Sequence, residues 1–495
     1  MNTNYYVKCR ICNSITRVKL QVGWMDEHPV AVWCGRCHVL LNGTAIMDQE
    51  NVWVRMQFKN ADLIFDEKVS PDFFQETSGE FPTYKLVNEG HKISMLSSAG
   101  PPFIRNAYND NIDRFRHYSR KMINLNNTGW YDLNCIFELW KNSENNIYLE
   151  NALKNNNIFP VNAQNNECHI PWGIHQLFVN VSHCMIDKEK CSDISTTLDK
   201  LSTIHPEELD KFKKKLQTQD YLINIKRKIF DLLDQFVKIF PNFIPAYCIY
   251  IENRANDFNY LNEGITTTSF ELVKNFYVDC YELLADLVPI LIGLDNILKR
   301  EHFDCLRTFL DKKSIIGNYE ELFSKPNPIK VRFYDQYKEE INLIDIDFNY
   351  LLRNSIGHYD YFIESQNQVI YYNKNISNVI DTNKFDKKIY LLEFTVECLN
   401  LFQNIIYMEN IIYFIETNDK INLYLNEESM IDSDFNFNNF QESYMKKSNF
   451  TYDDLKSLIS SNTKASTVKK EKKHYPNEIC YCGSGKKFKY CHGKK

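Results

Sequence analysis

The chain has 495 residues, 44 % of them hydrophobic, and a formal net charge of −6. This length and apolar content are sufficient for a packed core and exceed one typical domain, so we expect two to four units. The acidic balance argues against a general nucleic-acid coat protein. The N-terminus lacks the basic and apolar pattern of a secretory signal, and the longest apolar run is too short and interrupted to span a membrane.

Cysteine usage indicates the compartment. Seven of the fifteen cysteines stand in closely spaced, metal-type groups, and the others are scattered in apolar contexts. Because no export signal is visible, we predict a cytoplasmic protein with reduced thiols rather than a disulfide-bonded one.

The first 60 residues or so alternate apolar and polar positions in two short runs, which predicts a β-ribbon. The runs consist of Val18, Leu20 and Val22, and of Val30, Val32 and Trp33.

Two cysteine pairs lie at the ends of these runs: Cys9 with Cys12, and Cys34 with Cys37. Each pair can form a knuckle whose backbone amides point at thiolate sulfur, and two knuckles complete a tetrahedral site. The spacing predicts a structural zinc ribbon at residues 1–60. The basic residues near the ribbon could contact nucleic acid. The alternative is that the ribbon is purely structural.

Residues 61–260 have a mixed pattern and no indicated role, although a sensor that restrains the rest of the chain is one hypothesis. Turn clusters in residues 62–166 predict α+β or irregular structure. From 196 to 240 apolar residues recur every three or four positions, which predicts helix, and Pro241 and Pro245 are expected to end it. Several cysteines and histidines lie between 168 and 191 at spacings that match no metal-site pattern. There we expect buried free cysteines and partly exposed histidines.

Three long helices are predicted after residue 261, over 269–300, 331–357 and 387–415, with one strand of a small hairpin at 369–372. The second helix ends in residues 352–359, LRNSIGHY. Asn354 and His358 are four residues apart and share a helix face, and the long side chain of Arg353 reaches the same place. Gly357 weakens the helix, which favours a helix end with an exposed imidazole.

These residue types are suited to cleavage of RNA. A guanidinium can hold a phosphodiester and stabilise its transition state, and an imidazole can transfer a proton near neutral pH. The RNA 2′-hydroxyl can be the nucleophile, so the scheme requires no metal. The alternative is that Arg353 and His358 cap and pair locally on a structural helix.

The element resembles the HEPN superfamily, whose ribonuclease members carry Arg-x4–6-His, often with a polar residue after the arginine. Over about 150 residues, the resemblance implies a HEPN-like helical bundle at 261–420, RNA as substrate, and a homodimer in which two motifs form one site. It further implies that Arg353 holds the scissile phosphate, that His358 transfers the proton, and that Asn354 orients either the phosphate or the imidazole. Such nucleases commonly act as toxins or in antiviral defence.

After a predicted linker at 421–474, residues 475–495 hold a second cysteine group. Cys480, Cys482, Cys491 and His492 would close a structural site with no open position, and the Gly-Ser-Gly turn at 483–485 allows the chain to bend around a metal. The segment resembles the SEC-C motif, a zinc-binding module that docks protein or nucleic-acid partners. Residues 464–495 contain ten lysines and two glutamates, which is typical of contact with a polyanion or acidic partner, or of a solvated linker.

We therefore expect a mainly α fold with a small N-terminal β zinc ribbon, a mixed middle region and a small C-terminal zinc module. The leading hypothesis is a metal-independent endoribonuclease of the HEPN type with two structural zinc ions. The alternative is a non-catalytic, zinc-dependent adaptor that dimerises through its helical domain and binds RNA, a ribosome or another protein. Neither hypothesis places the chain in a membrane.

Overall fold

The computed structural model describes residues 2–21, 23, 25–48, 53–65, 69–88, 102–106, 112–142, 146–155, 169–251, 255–307, 309–311, 314–374 and 385–418. The predicted linker at 421–474 and the C-terminal module at 475–495 lie outside these residues. The chain divides into two compact units, Met1–Phe137 with Asn157–Asp434, and Glu138–Asn156 with Phe435–Lys495.

The N-terminal part of the first unit consists of two sheets. Strands β1 to β9 span Asn2–Cys9, Ile15–Gln21, Glu27–Trp33, Leu40–Asp48, Trp53–Phe58, Ala61–Ile64, Phe73–Ser78, Thr83–Tyr84 and Val87–Asn88. One sheet has the order β6-β1-β2-β7-β9, in which β2 and β7 are parallel, and the other is the antiparallel sheet β3-β4-β5; β8 belongs to neither of them. The predicted strand pattern is confirmed at Val18, Leu20, Val30 and Val32, which are buried in one core, whereas Val22 lies outside the described residues. The first sheet continues through β6, β7 and β9 beyond residue 60.

Strand β7 was not expected because polar residues fill it. Glu76 on β7 is fully buried, and its carboxylate lies 2.7 Å from the Arg105 guanidinium and 3.4 Å from the Lys19 ammonium. A buried charge is tolerated when it is paired and hydrogen-bonded. Apolar alternation cannot reveal a strand whose burial depends on partners elsewhere in the chain.

Helices follow the sheets. Helices α1 to α9 span Pro102–Asn106, Ile112–Asn124, Trp130–Asn142, Asn146–Asn155, His169–Ser182, Lys188–Leu201, Pro206–Gln217, Tyr221–Ile239 and Ile244–Ile251. A π-helical turn, Leu125–Gly129, joins α2 to α3. In the second unit the described residues are the last turns of α3 and the helix α4. Within the described residues, the α+β prediction for 62–166 is confirmed.

The block predicted as helix from 196 to 240 is divided among α6, α7 and α8. The chain breaks before Pro206, which occupies the first helical position of α7, and at Asp220, whose φ is 57°. Pro241 follows α8 as predicted. Pro245 does not end a helix, because it lies in the first turn of α9, where a missing N–H costs no hydrogen bond.

The remaining elements of the first unit surround two long helices. They are β10 Glu263–Gly264, α10 Phe270–Arg300, β11 Phe309–Asp311, β12 Ser314–Ile316, α11 Tyr319–Phe323, α12 Asn327–Ile341, α13 Tyr350–Gly357, β13 Tyr361–Glu364, β14 Val369–Lys374, β15 Phe385–Tyr390 and α14 Leu391–Thr417. Helix α10 packs along α14. On α14, the ring of Phe402 faces α8, where its centroid lies 4.3 Å from that of the Phe236 ring. The predictions of a helix at 269–300 and of a hairpin strand at 369–372 are confirmed. The last predicted helix begins at Leu391, because residues 387–390 belong to β15.

The single helix predicted over 331–357 is wrong. Asn342 adopts a φ of 41° and ends α12, and an extended segment precedes α13. In that segment Ile344, Ile346 and Phe348 are buried, and the hydroxyl of Tyr334 holds it by donating to the Ile344 carbonyl and accepting from the Ile346 N–H. These three buried residues alternate with two exposed aspartates. Such a period of two is typical of an extended chain rather than a helix.

The fold is mixed rather than mainly α. Helices are the largest component, yet the described residues also form five sheets, because strands recur between the helices after residue 260. Among the described helices, none has both the length and the apolar character that crossing a membrane requires.

The N-terminal sheets contact two segments of the C-terminal half of the first unit, one before α10 and one between β13 and β14. The Ala31 N–H on β3 donates to the Thr266 carbonyl at 2.7 Å, just before α10. The Gln366 side chain, in the turn between β13 and β14, donates to the Gly35 carbonyl at 2.5 Å. The turn between β13 and β14 is thus hydrogen-bonded to the turn that carries the second cysteine pair.

Candidate functional site

Helix α13 carries the three residues predicted to act on RNA. The Asn349 side chain caps it by accepting from the Leu352 N–H at 3.2 Å. Leu352, Ser355 and Ile356 face the interior, which leaves Arg353 half-buried and Asn354 exposed.

Arg353 is fixed by a partner that the sequence did not indicate. Its Nε and Nη2 lie 2.6 and 2.5 Å from one carboxylate oxygen of Glu282 on α10. The other oxygen of Glu282 accepts from the Asn327 amide at 3.1 Å. The Arg353 Nη1 donates to the Asn354 side-chain oxygen at 3.4 Å. The guanidinium is therefore oriented along α13, and a Cβ on Gly357 would lie 3.6 Å from Nη1.

His358 lies at the end of the same helix. Its backbone N–H donates to the Asn354 carbonyl, and its side chain is exposed. The prediction that Gly357 marks a helix end with an exposed imidazole is confirmed. Arg353 and Asn354 are in contact, and His358 follows them one turn later at the solvent-facing end.

A buried polar cluster supports α13 from behind. The Tyr277 hydroxyl lies 3.2 Å from the Glu397 carboxylate and 3.4 Å from the Asn349 carbonyl. Desolvation by burial raises the pKa of Glu397 to about 7, and the nearby charge of Asp347 adds to this effect. The cap of the motif helix thus rests on a carboxyl group that titrates near neutrality.

An acidic groove lies on the far side of Glu282. This cavity between α8 and α10 has a volume of about 280 Å³, and its lining includes Lys228, Asp231, Asp279, Glu282 and Asp286. Desolvation raises the pKa of Asp279. The carboxylates of this groove disfavour an anion there.

The four N-terminal cysteines form a second candidate site. Cys9 and Cys34 stand at the ends of β1 and β3, and Cys12 and Cys37 lie in the following turns. All four sulfur atoms lie within 4.8 Å of one another.

The two turns repeat one backbone geometry. The N–H groups of Asn13 and His38 each donate at 3.0 Å to the carbonyl of the first cysteine of their pair, and both residues have a φ of 59°. The N–H groups of Cys9 and Cys34 donate to the carbonyls of Ser14 and Val39. This duplication is the expected geometry of two metal knuckles.

The sulfur distances fit a metal better than disulfides. A zinc–sulfur bond of about 2.3 Å in a tetrahedron separates the sulfurs by roughly 3.8 Å, whereas a disulfide needs about 2.05 Å. The Sγ atoms of Cys9 and Cys37 are 3.6 Å apart, and those of Cys12 and Cys34 are 3.4 Å apart. The four residues therefore fit a tetrahedral thiolate site, for which they would supply all the ligands.

Protonation differs among the thiols. Desolvation raises the pKa of the Cys37 thiol. Desolvation also acts on Cys12, but its hydrogen bonds with Ser14, Cys34 and Cys37 together outweigh it and lower the pKa of that thiol to about 6. A bound cation would favour the thiolate form throughout the cluster.

Some of the basic residues near the knuckles are neutralised within the chain. Arg10 pairs with Asp62 at 2.8 Å, and Arg36 pairs with Asp72 at 3.1 Å. These exposed pairs are weak and do not prevent contact with a polyanion, but they reduce the local positive charge.

The cysteines and histidines between 168 and 191 form no metal cluster among the described residues. Cys184 and Cys191 are buried, as predicted. His175 is fully buried instead of partly exposed, because it bonds to Glu409 at 2.9 Å and stacks on the Tyr413 ring at 3.9 Å.

Comparison with known proteins identifies one segment. Residues 477–494 match the sequence profile of the SEC-C motif. The protein translocase subunit SecA of Pseudomonas fluorescens (strain Pf0-1) is 63 % identical over 30 residues, which are 6 % of this chain and 3 % of SecA. No solved structure matches the chain. The predicted ligands Cys480, Cys482, Cys491 and His492 lie within the matched segment and outside the described residues.

Proposed function

We propose that the protein is a metal-independent endoribonuclease of the HEPN type, acting in the cytoplasm as a toxin or in antiviral defence. The observation that supports this most is the form of α13. It presents an exposed imidazole at its end, one turn beyond a guanidinium that Glu282 and Asn354 hold in place. His358 makes no side-chain hydrogen bond among the contacts of the described residues, which leaves its exposed imidazole open to a ligand.

In the proposed reaction, the His358 imidazole takes the proton of a ribose 2′-hydroxyl, and the 2′-oxygen attacks the adjacent phosphorus. Arg353 stabilises the charge that develops on the non-bridging oxygens, and Asn354 orients the phosphate. The bond from phosphorus to the 5′-oxygen breaks, and that oxygen takes a proton from the imidazolium of a second copy of the motif. The products are a 2′,3′-cyclic phosphate and a 5′-hydroxyl.

The two cysteine-rich sites would each hold one structural zinc ion. Cys9, Cys12, Cys34 and Cys37 supply four thiolates, and the SEC-C segment supplies three thiolates and an imidazole, so both sites would be closed. We assign them to stability and to docking of RNA, a ribosome or a protein partner.

The alternative function is a non-catalytic adaptor that dimerises through its helices. It is favoured by the ion pair between Arg353 and Glu282, because a guanidinium already neutralised within the chain binds phosphate less strongly. In an adaptor this ion pair would only tie α13 to α10.

Incubation of total RNA and tRNA with the purified protein, followed by end-group analysis, separates the two functions. We expect cleavage with cyclic phosphate ends, and at least about a 100-fold loss in His358→Ala and Arg353→Ala. His205→Ala, which changes the exposed histidine that caps the N-terminus of α7, serves as the matched control. If the wild-type dimer cleaves no RNA, or if His358→Ala and Arg353→Ala cleave as well as the wild type, the adaptor function is supported.

A further inference from the structure

Tyr359 occupies a backbone position that normally belongs to glycine. Its φ is 57°, in the left-handed region, and it directly follows His358. The Tyr359 N–H donates to the Ile356 carbonyl and the Asp360 N–H donates to the Ser355 carbonyl, at 3.3 and 2.8 Å. These are the two bonds of a Schellman motif, in which Tyr359 is the left-handed residue. A bulky side chain is uncommon there, because its Cβ crowds the backbone.

The fold gains little burial in return for this strain. Tyr359 is 77 % exposed, so its ring contributes little apolar burial. Glycine would satisfy the same turn without the steric penalty. Strain that the fold does not need is commonly found where a side chain has a functional role.

The Tyr359 ring is held by a neighbouring cation. The Lys274 ammonium lies 5.7 Å from the centroid of the Tyr359 ring and 5.6 Å from that of Tyr361. Lys274 is itself fixed by the Tyr361 hydroxyl at 3.0 Å and by an ion pair with Glu271. One face of the Tyr359 ring therefore rests on an anchored cation, while most of the side chain is open to solvent.

We propose that Tyr359 is a positioning residue on which an unpaired RNA base stacks, next to the phosphate that His358 and Arg353 act on. This inference rests on the proposed ribonuclease function and adds the form of the substrate. Stacking tolerates any base identity, because every base has an aromatic face, but it requires a base that is free of its helix. The site would thus select unpaired segments rather than sequence.

The test uses Tyr359→Gly, which removes the ring and relieves the backbone, and Tyr359→Phe, which keeps the ring. Binding is measured in the His358→Ala background with single-stranded RNA containing 2-aminopurine. We expect Tyr359→Gly to weaken binding roughly 5- to 100-fold and to abolish the fluorescence quenching that stacking causes. Tyr359→Phe should retain both, and double-stranded RNA should bind equally to all variants.

Folding is checked by thermal unfolding, in which Tyr359→Gly should be at least as stable as the wild type. Phe65→Ser, which removes an aromatic ring that is 85 % exposed at the end of β6, is the matched control and should leave RNA binding unchanged.

The outcomes separate this inference from the proposed function. If the wild type cleaves RNA and Tyr359→Gly binds and quenches like the wild type, the stacking role is wrong and the ribonuclease stands. If quenching depends on Tyr359 but the wild type cleaves nothing, the ribonuclease is wrong and stacking stands. Loss of a dimer in Tyr359→Gly with unchanged quenching would assign the ring to a protein interface and overturn the inference.

Discussion

Glu397 is the residue whose ionisation most directly affects the support of the motif helix. It is half-buried, and desolvation raises its pKa from 4.5 to about 7. Because the folded pKa lies above that of the unfolded chain, the unfolded chain loses this proton first. The stabilisation that protonated Glu397 contributes to the folded state is therefore fully present below about pH 4.5, and it is lost as the pH rises through about 7.

Glu397→Gln removes this charge and keeps an oxygen for the Tyr277 hydroxyl. We expect the variant to be more stable than the wild type by roughly 2–4 kcal/mol above pH 7.5, and the difference to vanish near pH 4.5. Urea unfolding of both proteins from pH 4.5 to 8 measures it. The pKa of Asp335, which burial raises to about 6, affects both proteins equally and cancels. A difference that does not change with pH would contradict the assignment.

The residues of the candidate site were predictable only in part. Gly357 and the spacing of Asn354 and His358 are local signals, so the exposed end of α13 could be predicted. Glu282 could not, because it lies 71 positions from Arg353 and is brought to it by the packing of α10. The strained backbone of Tyr359 also has no local signal, since the sequence there shows a tyrosine where a glycine would be expected.

At the scale of elements, the two knuckles are the parts whose stability should depend on a ligand. Cys34→Ser removes one of the four thiolates, and structural zinc contributes apparent binding free energies of about 10–16 kcal/mol in small modules. We expect the variant to lose one zinc ion per chain and to lose protection against hydrogen exchange in β1 to β3. Metal analysis and hydrogen exchange read by mass spectrometry measure both effects.

The loss should extend beyond the ribbon. Since the Gln366 side chain donates to the Gly35 carbonyl, the turn between β13 and β14 should exchange faster in Cys34→Ser, while the centre of α10 stays protected. Cys482→Ser is the matched control, because it removes a predicted ligand of the SEC-C segment. Unchanged zinc content in Cys34→Ser would show that the N-terminal cluster is not a metal site.

The long helices were the elements that the sequence predicted best. Helices α10 and α14 carry long apolar periods, and Pro289 inside α10 does not end that helix. The segment before α13 was predicted as helix although its apolar residues alternate with a period of two, and the extended chain there is held by Tyr334 from α12. Strand β7 was missed because its burial depends on ion pairs with Arg105 and Lys19, which no local pattern contains.

At the scale of the whole molecule, the proposed chemistry requires two copies of the chain. Cleavage needs a base for the 2′-hydroxyl and an acid for the 5′-oxygen. The site on α13 contains one histidine in each copy, so a pair of chains would supply both groups. An isologous dimer places the same surface of each copy in contact, and α13 would then lie near the two-fold axis.

Mixing wild type with an excess of inactive protein tests this requirement. At a constant amount of wild type, a tenfold excess of His358→Ala should reduce activity by roughly tenfold once subunits have exchanged, because mass action places nearly every wild-type chain in a mixed dimer. If each chain carried a complete site, the added variant would leave the activity unchanged. The same excess of His205→Ala should raise the activity, which controls for crowding and for competition for RNA. Sedimentation at the assay concentration establishes whether dimers are present, and full activity in a purely monomeric sample would contradict the composite site.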